Sequence, residues 1–229
     1  MVWRCNMDFD LSLVVKYIPF LLEATVLTIQ ISIISIVVSI ILGLVSAMMR
    51  ISKFKILQII SNAYMEFIRG VPLLVQLYLV YYVMPEIGIT LDAFSASVIG
   101  LGIYGGAYVS EVFRGSIEAI PYGQMEAARS LGMSYFLAMR KVVMPQALRI
   151  SLPPLGNQFI ITLKNSSLCS VITANELMHT SARFASVNFA FLEFFVVASL
   201  IYFAMTYILS KLLGIVEKKL TIGQRRTVA

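Results

Sequence analysis

The sequence predicts an all-α, polytopic membrane protein with five transmembrane helices, for three reasons. First, 59% of the 229 residues are hydrophobic and only 13% are charged, whereas soluble domains have about 25% charged residues. Second, long apolar stretches alternate with short polar connections. Third, the basic residues are distributed unevenly between these connections. The composition excludes a soluble globule, a disordered chain and a nucleic-acid binder as leading classes, despite the net charge of +6.

The first predicted span covers about residues 20–49. No charge occurs between Glu23 and Arg50, and about 20 apolar residues suffice to cross the hydrocarbon core. The segment is too long for the apolar region of a signal peptide, and Asp8 and Asp10 occur where such a peptide would be basic. We therefore expect a retained helix.

Four more spans follow from the same criterion, at about residues 60–84, 93–113, 150–174 and 189–213. The second contains Glu66 and Arg69, and the fourth contains Lys164. Charges are costly in hydrocarbon, so these two helices should face protein or water. The whole chain is interpreted as one transmembrane domain, 1–229.

The charge distribution predicts the orientation. Thirteen of the 18 basic residues fall on one side of the predicted membrane, in the connection after the first span, in the connection 114–149 and in the C-terminal part of the chain from Lys211 onward. The positive-inside rule places that side in the cytoplasm. We expect the N-terminus outside and the C-terminus in the cytoplasm.

Catalytic and metal-binding patterns are missing from the sequence. There is no G-x-x-x-x-G-K-[ST] phosphate loop, no H-E-x-x-H motif, and His179 is the single histidine. Cys5 and Cys169 are too few for a disulfide framework or a four-ligand zinc site. We expect neither enzyme activity nor a metal site.

The connection 114–149 predicts two short helices. Gln124–Leu131 are good helix formers and Gly132 suits a helix C-cap, because glycine tolerates positive φ. A second helix, Tyr135–Val143, should end at Pro145. Such a segment either lies along the lipid headgroups or docks a cytoplasmic partner.

One motif favours docking. Glu126-Ala127-Ala128, followed by Gly132 and then Pro145, resembles the EAA loop of binding-protein-dependent ABC importer permeases, although Met144 stands where a leucine is commoner. In that family the loop forms the coupling helix that seats in a groove of the ATPase subunit. The resemblance implies coupling roles for Glu126, Ala127, Ala128, Arg129 and Gly132.

Three other stretches resemble the polar amino acid subgroup of these permeases, the histidine and glutamine type. Residues 67–76 read FIRGVPLLVQ, 153–158 read PPLGNQ and 164–168 read KNSSL. They are similar to FRGTPLLVQ, PPLGNQ and KDTSL, with Val71, Asn165 and Ser166 as departures. The resemblance covers about residues 10–220.

This resemblance also implies the partners and location. They are a second permease copy or a homologous permease, two ATP-binding subunits, an extracytoplasmic solute-binding protein and an amino acid substrate, in the lipid of a bacterial cytoplasmic (inner) membrane. ATP and magnesium would be held by the partner ATPase and not by this chain. No nucleic-acid partner is expected.

Polar residues within the spans are candidates for the substrate path, because buried charges in membranes are functional by default. The candidates are Glu66, Arg69, Gln76, Tyr104, Tyr108, Lys164, Asn165, Ser166 and Ser167. Structural alternatives stay open: an ion pair between Glu66 and Arg69, pairing of Lys164 with carbonyls or Glu111, and packing roles for the tyrosines.

Gly102, Gly105, Gly106 and Ala107 are predicted to support close helix packing, against a dimer partner or the fifth span. A different function class, an ion-gradient-driven secondary transporter or channel subunit, remains the alternative. Such a protein has no need of a loop shaped for an ATPase.

Overall fold

The computed structural model describes residues 9–225, with side chains placed for residues 9–218. Every regular element in that range is helical, which confirms the all-α prediction. The α-helices are α1 Leu11–Arg50, α2 Lys55–Gly70, α3 Leu73–Tyr78, α4 Ala93–Glu118, α5 Tyr122–Ser130, α6 Tyr135–Ala138, α7 Met144–Asn165, α8 Leu177–Asn188 and α9 Phe191–Arg225. Cys5 lies outside the described residues.

Short turns of other helix types extend or join these elements. A π-turn, Leu79–Val83, and a 3₁₀ turn, Met84–Ile87, continue α3. A second π-turn, Met139–Val143, joins α6 to α7, and a 3₁₀ turn, Ser166–Ile172, follows α7.

Three helices of the described chain are long and apolar enough to cross a membrane: α1, α4 and residues Phe191–Lys218 of α9. They correspond to the first, third and fifth predicted spans. The bent pair Lys55–Gly70 and Leu73–Ile87 makes a fourth if it counts as one span. Helix α7 is not among these candidates, so the five-span count and the orientation of the termini stay predictions.

Helix α1 begins nine residues before the predicted span. The Asp10 carboxylate accepts a hydrogen bond from the Leu13 N–H (3.1 Å), which caps the helix, and Pro19 is accommodated inside it. Forty residues make a rod about 60 Å long, longer than the ~40–45 Å of a bilayer with its headgroups. Part of α1 therefore projects beyond the hydrocarbon core.

A stripe of small residues on α1 is buried, and its part from Ser35 onward packs against α4. The small-residue seam consists of Thr25, Thr28, Ser32, Ser35, Ser39, Gly43 and Ser46, which recur every three or four positions and are all buried. Several hydroxyls bond the carbonyl four residues earlier in α1, and Ser39 also donates to the Gly102 carbonyl of α4 (3.1 Å). Small side chains let two helices approach closely.

The predicted close-packing role of the α4 glycines is confirmed, but the predicted neighbour is wrong. Gly102 packs on α1, where a Cβ at Gly102 would lie 2.6 Å from Val38. Gly106 packs on α1 and on Tyr64 of α2. The sequence analysis overlooks the matching small residues of α1, which make α1 the helix that can approach α4 this closely.

The second predicted span is broken rather than straight. Helices α2 and α3 meet at an angle of 106°, at Gly70, the extended Val71 and Pro72. Proline supplies no N–H for a continuing helix, and it disfavours helical backbone at the preceding residue. Gln76 bridges the break, because its Nε2 donates to the carbonyls of Ile68 (2.7 Å) and Val71 (2.8 Å).

Pro145 does not end a helix, contrary to the prediction. The π-turn before α7 has the Met144 N–H bonded to the Met139 carbonyl, and this wider turn accommodates a proline in the first turn of α7. Pro153 and Pro154 also lie inside α7 without ending it. Close contact with a neighbouring helix supports α7, since a Cβ at Gly156 would overlap Leu213 of α9.

Helix α8, for which the sequence analysis predicts no element, links the fourth and fifth predicted spans. Its N-cap is Glu176, a fully buried residue. The carboxylate accepts from the N–H groups of Met178 (2.8 Å) and His179 (2.6 Å) and from the Tyr202 hydroxyl of α9 (2.8 Å). Burial raises the pKa of this carboxyl to about 7. The hydrogen bond from Tyr202 to Glu176 attaches α8 to α9.

We expect Gly102→Val to destabilise the protein by about 3 kcal/mol, because the new side chain overpacks the α1–α4 contact. Gly115→Val on the same helix is the matched control, since a Cβ there meets nothing within 4 Å. Unfolding of detergent-solubilised protein with sodium dodecyl sulfate measures both. Equal stability of the two variants would contradict close packing at Gly102.

Gln76→Leu should lower the free energy of unfolding by about 2 kcal/mol, because two backbone carbonyls at the helix break lose their donor. Gln58→Leu is the control, since Gln58 makes one partly buried bond to the Ser52 carbonyl. The same unfolding titration applies. An unchanged stability of Gln76→Leu would exclude a bridging role for this residue.

Candidate functional site

A polar groove of about 550 Å³ opens beside the broken second span. The arginine groove, as we name it, is lined by Arg50, Asn62, Met65, Glu66, Arg69, Gly70 and Tyr108. Asn62, Glu66 and Arg69 follow one another at helical spacing on α2, so one face of that helix forms one wall. The structure thus brings three sequence-predicted path residues together: Glu66, Arg69 and Tyr108.

Arg69 is the unpaired cation of this groove. Its guanidinium lies over the Tyr108 ring, 5.6 Å from the centroid, and no salt bridge of the described residues includes it. The alternative of a Glu66–Arg69 ion pair is therefore not found. The Tyr104 hydroxyl donates to that of Tyr108 (3.1 Å), which orients the ring beneath Arg69. An anion entering the groove would meet a guanidinium without a carboxylate partner.

The second cation of the groove, Arg50, is already neutralised. Its Nη1 lies 2.6 Å from Glu111 Oε2 of α4 and 3.2 Å from the Met65 sulfur. Glu111 also pairs with Arg114, which pairs in turn with Glu118. Glu111 is thus paired with Arg50 and Arg114, so the alternative of a Lys164–Glu111 pair is not found. This network joins the end of α1 to the end of α4.

The other predicted path residues lie elsewhere in the chain. Lys164, at the end of α7, is exposed and does not line the arginine groove, and neither do Asn165, Ser166 and Ser167. The Ser166 and Ser167 hydroxyls donate to carbonyls three residues earlier. Gln76 is buried at the helix break. Their roles in a substrate path stay predictions.

Two polar residues of the groove escape the sequence analysis. Asn62 lies four residues before Glu66 and seven before Arg69, so helical spacing alone could have identified it. Arg50 could not have been found this way, because only the packing of α1 against α2 brings it to the groove. Among the described residues, no group of three or more His, Cys, Asp or Glu side chains could hold a metal ion.

The segment between α4 and α7 contains the predicted short helix, here α5. It ends in a Schellman motif: the Met133 N–H bonds the Ala128 carbonyl (3.3 Å), and the Gly132 N–H bonds the Arg129 carbonyl (3.0 Å). Gly132 has φ +81°, which confirms its predicted place at the helix end. Any other residue would be strained there.

Helix α5 presents a largely exposed surface. Glu126, Ala127 and Arg129 are exposed, as are the flanking Tyr122 and Leu131. Ala128 is the exception, because it is buried against the rest of the chain. A partner could therefore contact the Glu126 side of α5, while Ala128 holds the helix in place. The coupling roles of Glu126, Ala127, Ala128, Arg129 and Gly132 stay predictions.

Comparison with known proteins identifies the family of this chain. Residues 39–222 match the model of the "Binding-protein-dependent transport system inner membrane component" family. The probable amino-acid ABC transporter permease protein PatM of Vibrio harveyi is 40% identical over 217 residues, covering 93% of this chain and 97% of PatM. The probable glutamine ABC transporter permease protein GlnM of Bacillus subtilis (strain 168) is 39% identical over 193 residues, covering 84% and 89%.

Comparison with solved structures agrees with this family assignment. The chain superposes on one described as "Crystal structure of an amino acid ABC transporter with histidines" with a TM-score of 0.87 and 40% identity, covering 93% of this chain and 99% of the other. An inward-facing MetNI methionine ABC transporter chain shares the fold, with a TM-score of 0.71 and 16% identity. This chain belongs to the binding-protein-dependent transport system inner membrane component family and is a multi-pass membrane permease of the ABC transporter type.

Proposed function

We propose that this chain is the membrane-spanning permease subunit of an ATP-driven amino acid importer, which forms the translocation path and couples to a separate ATPase through α5. The observation that carries this proposal is the exposed α5. It is a short helix with the Glu126-Ala127-Ala128 sequence, ended by a glycine in the left-handed conformation. The relatives support amino acids as the substrate class, since PatM and GlnM are described as amino-acid and glutamine permeases.

Coupling requires a rigid contact between α5 and the membrane helices. Helix α5 follows α4 after three residues, and α6 leads through the π-turn into α7 without a break. A force on α5 therefore reaches two long helices at once. In the proposed assembly, two ATP-binding subunits hold ATP and magnesium, and each seats one α5. ATP binding draws the two α5 helices together and turns the path outward.

The arginine groove supplies a place for the substrate. The unpaired Arg69 guanidinium suits an α-carboxylate, because bidentate guanidinium–carboxylate pairs are strong. Glu66 supplies a carboxylate for the ammonium group, and Tyr108 holds Arg69 in place through its ring. Lys164 and Asn165–Ser167 form a second part of the proposed path. A second permease copy, or a homologous permease, completes that path around a central axis.

The remaining partners follow from the family. A solute-binding protein delivers the amino acid on the outer side of a bacterial cytoplasmic membrane. The N-terminus lies on that outer side, and α5 lies in the cytoplasm together with most of the basic residues. These placements follow from the charge distribution. The chain itself acts as a transport subunit and takes ATP hydrolysis from its partner.

Glu126→Lys and Gly132→Asp should abolish uptake and release the ATPase, while membrane insertion remains normal. The first reverses a charge on the exposed face of α5, and the second strains the left-handed helix end. Radiolabelled glutamine uptake, ATPase co-purification and immunoblotting of membranes measure the three properties. Glu86→Lys, an exposed change in the 3₁₀ turn after α3, is the control and should retain full uptake.

Normal uptake by both α5 variants would contradict the coupling role. A chain that purifies without any ATPase, with uptake that collapses when the proton gradient is dissipated, would instead indicate the ion-gradient-driven class.

Arg69→Gln should reduce amino acid uptake about tenfold or more, the effect of losing one hydrogen-bonded charge at a binding site. Tyr108→Phe keeps the ring under Arg69 and should retain most uptake, whereas Tyr108→Leu should not. Initial uptake rates in proteoliposomes, with ATPase co-purification as the assembly control, test this. Wild-type rates for Arg69→Gln would remove Arg69 from the path.

A further inference from the structure

A second polar groove, of about 540 Å³, lies between α1 and α8. We name it the α1/α8 groove, and its polar wall is formed by Glu23, Gln30, Asn175, Thr180 and Arg183. None of these residues lines the arginine groove. The apolar wall comes from Phe20 and neighbouring α1 residues. No function described above uses this feature.

The two charges of the α1/α8 groove are opposite and unpaired. Among the residues that the structure describes, no anion lies within 4.0 Å of the Arg183 guanidinium and no cation lies within 4.0 Å of the Glu23 carboxylate. Arg183 is instead 5.0 Å from the ring centroid of Phe184. A cavity that displays a separated carboxylate and guanidinium is complementary to a molecule with an ammonium and an anionic group.

Two amide side chains of the same groove complement these charges. The side-chain amides of Gln30 and Asn175 make no hydrogen bond within the described part of the chain. They remain available as additional donors and acceptors.

The α1/α8 groove lies near the N-terminal end of α1. Glu23 is 27 residues before Arg50 on one continuous helix, which places them about 40 Å apart. The hydrocarbon core is about 30 Å thick, or 40–45 Å with headgroups. If Arg50 lies at one membrane surface, Glu23 reaches the headgroups of the other. In the proposed orientation, the groove therefore faces the membrane surface opposite to that of α5.

We propose that the α1/α8 groove binds a zwitterion, with its ammonium group on Glu23 and its anionic group on Arg183. Two sources offer this chemistry at the membrane surface: a free amino acid, and the headgroup of phosphatidylethanolamine. In both cases the anion, carboxylate or phosphate, accepts from the guanidinium, and the ammonium donates to the carboxylate. Binding here needs neither ATP nor the arginine groove, so the proposal does not rest on the proposed transport function.

The test uses the complete transporter complex in nanodiscs of phosphatidylglycerol, which lacks an ammonium group. One arm measures equilibrium binding of tritiated L-glutamine and L-arginine. The other arm measures, by native mass spectrometry, retention of added phosphatidylethanolamine against phosphatidylcholine, whose ammonium cannot donate hydrogen bonds. Glu23→Gln and Arg183→Gln are compared with the wild type in both arms.

If the bound zwitterion is a free amino acid, we expect Glu23→Gln and Arg183→Gln each to bind glutamine or arginine about tenfold more weakly than the wild type, because a hydrogen bond to a charge is lost. If the bound zwitterion is a lipid headgroup, we expect the wild type to retain more phosphatidylethanolamine than phosphatidylcholine. Both variants should lose this preference. Unchanged results in both arms would overturn the proposal. Amino acid binding lost only in Arg69→Gln would also overturn the amino acid source, and would leave the transport function standing.

Two controls make the result specific. Lys16→Gln on α1 and Ser186→Ala on α8 change exposed residues outside the groove and should bind as the wild type does. If a charge variant fails to assemble, Gln30→Leu and Asn175→Leu remove polar groups without changing the charge. They should weaken binding about threefold, as for one neutral hydrogen bond, and wild-type binding by both would count against the site.

Discussion

The close contact between α1 and α4 is the constraint on which the rest of the structure depends. Ser39 of α1 meets Gly105 of α4, Val38 and Leu42 of α1 lie against Gly102 and Gly106, and Gly43 of α1 lies against Val109, so the two backbones approach closely. In lipid, helix association relies on such packing and on hydrogen bonds, because the acyl chains are as apolar as leucine. The hydroxyls of the small-residue seam mostly bond their own helix, so their burial leaves few unsatisfied groups.

The position of the arginine groove follows from this contact. At the end of the seam, the Ser46 hydroxyl lies 2.6 Å from that of Ser61 on α2 and accepts from that of Ser110 on α4 (3.1 Å). These three hydroxyls hold α2 beside the α1–α4 pair. Arg50 and Glu111 then pair one turn further along, and α2 presents Arg69 over Tyr108 of α4. The groove is thus built on a rigid three-helix junction rather than on loops.

Two irregular backbone segments give the molecule its functional shape. The break between α2 and α3, bridged by Gln76, opens the arginine groove at Gly70. The π-turn before α7 accommodates Pro145, so the helical backbone continues from α6 into α7. Helices α5 and α6 are therefore connected to a long helix. Prolines and glycines are tolerated in membrane helices where neighbouring groups satisfy the freed backbone. Each break here is accompanied by such a neighbour.

Composition and local pattern determined much of this protein in advance: its helical class, apolar helices near the predicted spans 93–113 and 189–213, and the end of α5 at Gly132. These features depend on transfer energies and on backbone preferences of single residues, which act locally. Spacing also pointed to Glu66 and Arg69. Only the tertiary structure decided that α1 is the partner of α4, that Arg50 neutralises Glu111, that Ala128 faces inward, and that Glu23 and Arg183 line the same groove. Such pairings join residues far apart in sequence, and their energies depend on which helices pack together.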